Sequence, residues 1–184
     1  MEFNLSKEHL MAKQLFHDFA VKEVEPWAEE TDEFHRFPWE VVHKMQDVGL
    51  LGIPFPKELG GQGCDTLAYI LAVEEISKVC GTSGVILSAH TSLAADAIFL
   101  HGNDEQKEKF LRPLIDGRKL GSFALTEAEA GTDAAGQQTK AVRDGDEWLI
   151  NGSKIFITNA QVADTYIVFA MTDKAAGTRG ISAF

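Results

Sequence analysis

The sequence predicts an α+β protein, with an amino-terminal all-helical domain over residues 1–119 and an incomplete antiparallel β domain over residues 120–184. Three observations lead there. Apolar residues recur at helical spacing as far as Ile115, β-branched and aromatic runs take over after Lys119, and the chain closes in mid-strand on the apolar run ISAF. Helices first and strands afterwards, without alternation, indicate segregated layers rather than an α/β sheet.

Ser6 is an N-cap for a first helix to about Ala20. On it Met11, Leu15 and Phe19 repeat beside Ala12, Phe16 and Ala20, and Leu5 with Leu10 forms a hydrophobic staple. Pro38 suits the first position of a second helix, Val41, Val42, Met45 and Val48 mark one face, and Gly49 stops it. The stretch GLLGIPFPKELGGQG, residues 49–63, holds two prolines and five glycines and reads as a loop. Asp65 then caps a helix carrying Leu67, Ile70, Leu71 and Ile76. From about Thr82 to His101 a further helix is apolar around much of its circumference, which predicts a central position. Asn103 and Gln106 form a capping box ahead of Phe110, Leu111, Leu114 and Ile115, and Gly117 closes that helix. Strands are expected over residues 120–125, 139–142, 147–150, 154–158 and 165–171 and in the final ISAF, with turns at residues 144–146 and 151–152.

Composition narrows the function. Of 184 residues 45% are hydrophobic and 24% charged, which is globular rather than disordered. A formal charge of −11 without a basic cluster argues against nucleic acid and anionic lipid as partners. Cys64 and Cys80 have no metal spacing and are too few for a disulfide framework, so free thiols in a reducing compartment are expected. The amino terminus lacks a signal-peptide pattern and no uninterrupted apolar run approaches membrane-spanning length, so the protein is expected to be cytoplasmic. No histidine pairs with another ligand at metal spacing, although His90 on the central helix has the position to face a cavity. Phe3, Phe16, Phe19, Phe34 and Phe37 read as packing residues, and Glu74 and Glu75 as solvated.

Two segments stand out. In FALTEAEAGTDAAG, residues 123–136, a strand runs into a turn where Gly131 lets the backbone bend and the N–H groups with the Thr132 hydroxyl suit a phosphate. A loop in which Thr126, Thr132 and Asp133 satisfy their own backbone explains the composition equally well. In KIFITNA, residues 154–160, Phe156 and Thr158 lie two apart on the expected strand and share a face, which suits a flat heterocycle and also suits ordinary sheet packing.

Taken together, ALTEAEAGTDAAG followed by NGSKIFITNA resembles the flavin-binding signatures of the acyl-CoA dehydrogenase family. The GIPFPKELGGQG loop, the helix over residues 84–100 and NDEQKEKFLRPLIDGRKLGSFALTE resemble that family too, so the likeness covers essentially the whole chain. GQQT and SKIFITN are most similar to its bacterial short-chain, butyryl-CoA-type members. Ala128 departs from a common proline and Phe156 from a common tryptophan.

The resemblance implies FAD as cofactor. It places Phe123, Ala124, Leu125 and Thr126 along the flavin, Gly131 and Thr132 at the pyrophosphate with Thr132 also on the CoA side, and Phe156, Ile157 and Thr158 beside N5. It implies α,β-dehydrogenation of a short-chain acyl-CoA, reoxidation by electron-transfer flavoprotein, and a homotetramer. The family's glutamate base belongs to a carboxy-terminal helical domain that matches nothing here, so no residue is assigned as catalytic, and Glu127 and Glu129 are not substitutes. The polypeptide alone is expected to hold at most half a flavin site. Related expectations with the same fold are an acyl-CoA oxidase, a flavin monooxygenase-like enzyme, or a non-catalytic assembly fragment.

Overall fold

The computed structural model describes residues 4–184, so Phe3 lies outside the described residues. Ser6 Oγ accepts the His9 N–H (3.2 Å) and opens α1 (Lys7–Phe19). This helix does not stop at Ala20. It continues through a π turn (Ala20–Val24) into α2 (Glu25–Glu33), because the widened turn carries the chain past Pro26, which has no N–H to donate. α3 (Trp39–Asp47) buries Val41, Val42 and Met45, and Gly49 follows it at a φ of 73°. Asp65 accepts the Ala68 N–H (2.9 Å) at the start of α4 (Thr66–Val79).

α5 (Gly81–Ser88), a π turn (Ala89–Ala95) and α6 (Asp96–His101) make one continuous apolar helix. By length and composition it could cross a membrane, which the sequence reading had not anticipated. Yet 56% of its most apolar stretch is buried within the protein, as in a core helix. The predicted capping box of Asn103 and Gln106 is present at α7 (Asp104–Gln106), and a second π turn-to-proline passage leads through Lys107–Leu111 into α8 (Arg112–Ile115).

Helix packing corrects two readings. Glu75 is buried rather than solvated, and it is paired with Lys78 (2.7 Å), His17 (3.3 Å) and Lys13 (3.4 Å) between α1 and α4. Phe34, expected to pack, is 66% exposed. α4 and α5 cross closely at Gly84, where a Cβ would lie 1.9 Å from Ser77 Oγ.

The carboxy-terminal part is a five-stranded sheet, and the α+β class holds, but the sheet is mixed rather than antiparallel. β1 (Gly121–Ala124) pairs in parallel with β4 (Thr165–Met171), β2 (Lys140–Asp144) forms the expected hairpin with β3 (Glu147–Asn151), and β5 (Ile181–Ala183) runs antiparallel to β4. β2 meets β4 in parallel at Lys140 and Met171, giving the order β1-β4-β2-β3. The parallel pair needs a long crossover, and both quoted segments lie on it.

The expected strand over residues 154–158 does not form. Lys154 and Ile155 are held by the loop after β1, and Phe156 sits at a φ of 57°. That conformation is incompatible with a strand.

The helical layer has its own core, including Val41, Met45, Leu51, Ile76 and Leu87. A second core, including Phe55, Ala94, Ile98, Leu114 and Ile167, joins helices to sheet, with Phe123 and Phe169 packed on it. β1 lies so near the central helix that a Cβ on Gly121 would come 2.7 Å from that of Ala94. His90 fixes this contact rather than facing a cavity. Fully buried, it donates from Nε2 to the Leu114 carbonyl (3.1 Å) and accepts the Gly121 N–H at Nδ1 (3.0 Å). Burial pushes its imidazole down to about 4, against the opposing effect of the Leu114 carbonyl.

Two outcomes follow. An imidazole held near 4 when folded, with an ordinary value near 6.5 when unfolded, contributes stability that is complete above about pH 6.5 and lost as pH falls towards 4. Urea unfolding across that window should show this slope in the wild type and a flatter profile in His90→Gln, which should also be about 1–3 kcal/mol less stable at neutral pH. An unchanged slope in the variant would remove the assignment. Gly84→Ala should cost about 1–3 kcal/mol by overpacking, and Ser77→Gly in the same chain should recover part of that loss in thermal unfolding.

Candidate functional site

The two segments singled out in the sequence meet along β1. Residues 155–159 run antiparallel beside it. The Ile155 N–H donates to the Thr126 carbonyl (2.9 Å), Ser122 Oγ to the Thr158 carbonyl (2.7 Å), and Asn159 Nδ2 to the Gly121 carbonyl (3.1 Å).

A buried ion pair locks the arrangement. Lys154 Nζ donates to Glu127 Oε1 (2.9 Å), the Leu125 carbonyl (2.8 Å) and Gln137 Oε1 (2.8 Å), which uses all three of its protons. Glu127 also accepts the backbone N–H groups of Gln138 (2.5 Å) and Thr139 (2.9 Å). Burial raises the Glu127 carboxyl, but the Gln138 N–H, the Lys154 ammonium and Thr139 outweigh it and hold the group at about 2. Between its ends the loop closes through reciprocal bonds of 3.1 Å joining Glu127 and Ala130.

The structure distributes the predicted site residues unevenly. Phe123 packs on Phe169 with ring centroids 5.0 Å apart, and Ala124 is buried, so these two present backbone rather than side chain. Leu125, Thr126, Ile157 and Thr158 are half-buried, and Gly131 and Thr132 are exposed. The hydroxyls of Thr126, Thr132 and Thr158 have no partner among the described residues. The same holds for the backbone N–H groups of residues 131–134 and 156–159. A loop that satisfied itself through Thr126, Thr132 and Asp133 would not leave these groups free; Glu127 does the internal bonding instead.

Phe156 is the outlier. The residue is 89% exposed and its backbone is left-handed, and Asn159, at a φ of 67°, brackets the other side of Ile157 and Thr158. Left-handed backbone at a bulky residue costs about 1–3 kcal/mol and persists only where its surroundings impose it. A cleft of about 690 Å³ opens next to this segment, lined by Ile157, Thr158 and Asn159, by the end of α2 and by the first turns of α5. The residues of the loop after β1 lie outside it. Lys154, Glu127, Ser122 and Asn159 are the residues that sequence reasoning missed. The sequence offers for the ion pair the charges themselves, Glu127 as the first of three acidic residues in one segment and Lys154 at the head of the other, 27 positions apart.

Comparison with known proteins assigns the family. The profile of the acyl-CoA dehydrogenase N-terminal domain matches residues 6–118, and that of the acyl-CoA dehydrogenase middle domain matches residues 122–184. A short-chain specific acyl-CoA dehydrogenase of Clostridium acetobutylicum is 60% identical over all of this chain and 48% of its own length. A chain in the structure described as "Electron transferring flavoprotein of Acidaminococcus fermentans: Towards a mechanism of flavin-based electron bifurcation" superposes with a TM-score of 0.95 at 52% identity, covering all of this chain and 48% of that one. An acyl-CoA dehydrogenase complexed with FAD from Bacillus anthracis superposes with a TM-score of 0.88 at 36% identity, covering 98% of this chain and 31% of that one. The chain therefore spans about half the length of the curated relatives it matches. On the strength of both profiles and of this likeness along its whole length, the chain belongs to the acyl-CoA dehydrogenase family.

Proposed function

We propose that the surface formed by residues 125–134 and 154–159 is the flavin-binding part of a short-chain acyl-CoA dehydrogenase. The single observation that carries this is the exposed, left-handed Phe156 beside unpartnered donors. Nothing among the described residues covers that ring, and a flat heterocycle with polar edges suits both the ring and the donors.

The residues fit FAD on their own chemistry. Thr126, Thr158 and the N–H groups of residues 156–159 would hold the polar edge of a flavin, and the N–H groups of residues 131–134 with the Thr132 hydroxyl would hold its pyrophosphate. Bound FAD supplies the two-electron acceptor for removing hydrogen from the α and β carbons of an acyl-CoA thioester, giving the trans-2-enoyl-CoA. Preorganised donors at the flavin edge stabilise the negative charge that develops there. Thr132 also faces the CoA side in this reading. Glu127 is not assigned as base, because it is saturated by donors and held at about 2. Electron-transfer flavoprotein is the proposed acceptor, supported by the likeness to the chain in the Acidaminococcus structure. The whole protein is proposed to be a cytoplasmic homotetramer.

Flavin content and turnover test this. The purified full-length protein should retain FAD and dehydrogenate a short-chain acyl-CoA with electron-transfer flavoprotein as acceptor. Thr126→Ala with Thr158→Ala should weaken FAD by about 10- to 100-fold, as expected for two lost hydrogen bonds. Folded, colourless wild-type protein would overturn the reading. Acid should act on the same surface. A carboxyl held at about 2 when folded, against an ordinary 4.5, contributes stability that is complete above about pH 4.5 and lost as pH falls towards 2. Thermal unfolding between those limits should fall less steeply for Glu127→Gln than for the wild type.

A further inference from the structure

We propose that Lys154, acting with Glu127, is the positioning residue that sets Phe156 in its flavin-facing conformation; the proposal rests on the function proposed above. The argument begins with connectivity. All three acceptors of the Lys154 ammonium, at Leu125, Glu127 and Gln137, belong to the loop after β1. Lys154 itself is on the other segment, two residues before Phe156. The ammonium is thus the side-chain link that ties the second segment to the first, and its 9% exposure keeps water from competing for its protons.

Phe156 makes no packing among the described residues that would explain its backbone, since the residue is 89% exposed. Its φ of 57° is therefore imposed from the flanks. Upstream the constraints are Lys154 and the Ile155–Thr126 bond, and downstream they are Ser122 on Thr158 and Asn159 on Gly121. Removing the ammonium leaves the upstream flank held by the single Ile155–Thr126 bond. Phe156 then relaxes to an ordinary backbone conformation, and flavin binding must restore the strained one at the expense of affinity. Lys154 touches no reacting atom in this picture; it acts through Phe156.

The test uses the full-length protein and compares Lys154→Met, Glu127→Gln and the double variant, reading FAD dissociation constant, visible circular dichroism of the bound flavin, and thermal stability. Lys154→Met should weaken FAD by about 10- to 100-fold and alter the flavin dichroism. It should also lose stability, because it leaves the Glu127 carboxylate buried without its cation. The double variant removes that stranded charge, so it should regain stability while its FAD affinity stays low. A merely structural ion pair predicts the opposite, with affinity recovering alongside stability, and that result would overturn the proposal. So would a folded Lys154→Met or double variant with wild-type affinity and dichroism. Should Lys154→Met fail to fold, the double variant decides by the same readouts. Wild-type protein that folds but takes up no flavin would instead remove the underlying functional reading, and this proposal with it.

Discussion

The pairing of Lys154 with Glu127 is the interaction on which the site depends. A buried ion pair contributes little net stability when its desolvation is counted, and this one spends every ammonium proton and three carboxylate bonds inside the protein. What it provides is register. Two segments far apart in sequence share one backbone bond, Ile155 to Thr126, and to the links that Ser122 and Asn159 make between β1 and the second segment the ammonium adds three directional bonds to the loop itself. An apolar contact of the same volume would fill the space without fixing the Leu125 carbonyl or Gln137 in place.

Topology explains why such a link is needed. Because β1 and β4 are parallel, the chain must travel out and back between them, and the hairpin of β2 and β3 occupies the middle of that journey. The outgoing limb is the loop after β1 and the returning limb is the segment before β4. Both pass the same strand, so the crossover that parallel pairing requires is what brings the limbs together. The helical layer sets the position of that strand through His90, whose two nitrogens join the central helix to α8 and to Gly121. A π turn at residues 89–95 carries His90, and among the described residues it is the one wide turn that no proline follows.

Much of the fold was legible because its signals are local. The caps at Ser6, Asp65 and Asn103 and the Gly145 hairpin are decided within four residues, and each stands as the sequence indicates. The continuation of the first helix past Ala20 was hidden because its buried stripe of Ala20, Val24 and Thr31 includes a polar residue and is interrupted by Pro26. Parallel pairing was illegible for a different reason, since a strand's composition does not name its partner. Residues 154–158 failed as a strand because Phe156 takes a φ of 57° between the long-range bonds at Lys154 and Thr158, which no period in the sequence reveals. The two segments themselves were recognisable by their small and hydroxyl-bearing residues, yet the charges that join them were not.

The two strongly perturbed groups divide the labour between fold and site, and their different origins separate them in pH. His90 is neutral because burial outweighs the Leu114 carbonyl that favours its charged form, so protonation begins to weigh on the fold below the ordinary histidine range. Glu127 is charged despite burial because its donors exceed the cost of desolvation, and it resists acid far longer. As pH falls, the helix-to-strand contact at Gly121 therefore loosens first, while the clamp between the two segments is still intact. Since both segments hang on β1, the surface they form loses its support before it loses its internal order. Of these two groups, the one that weakens the site first in acid is thus a histidine that takes no part in it.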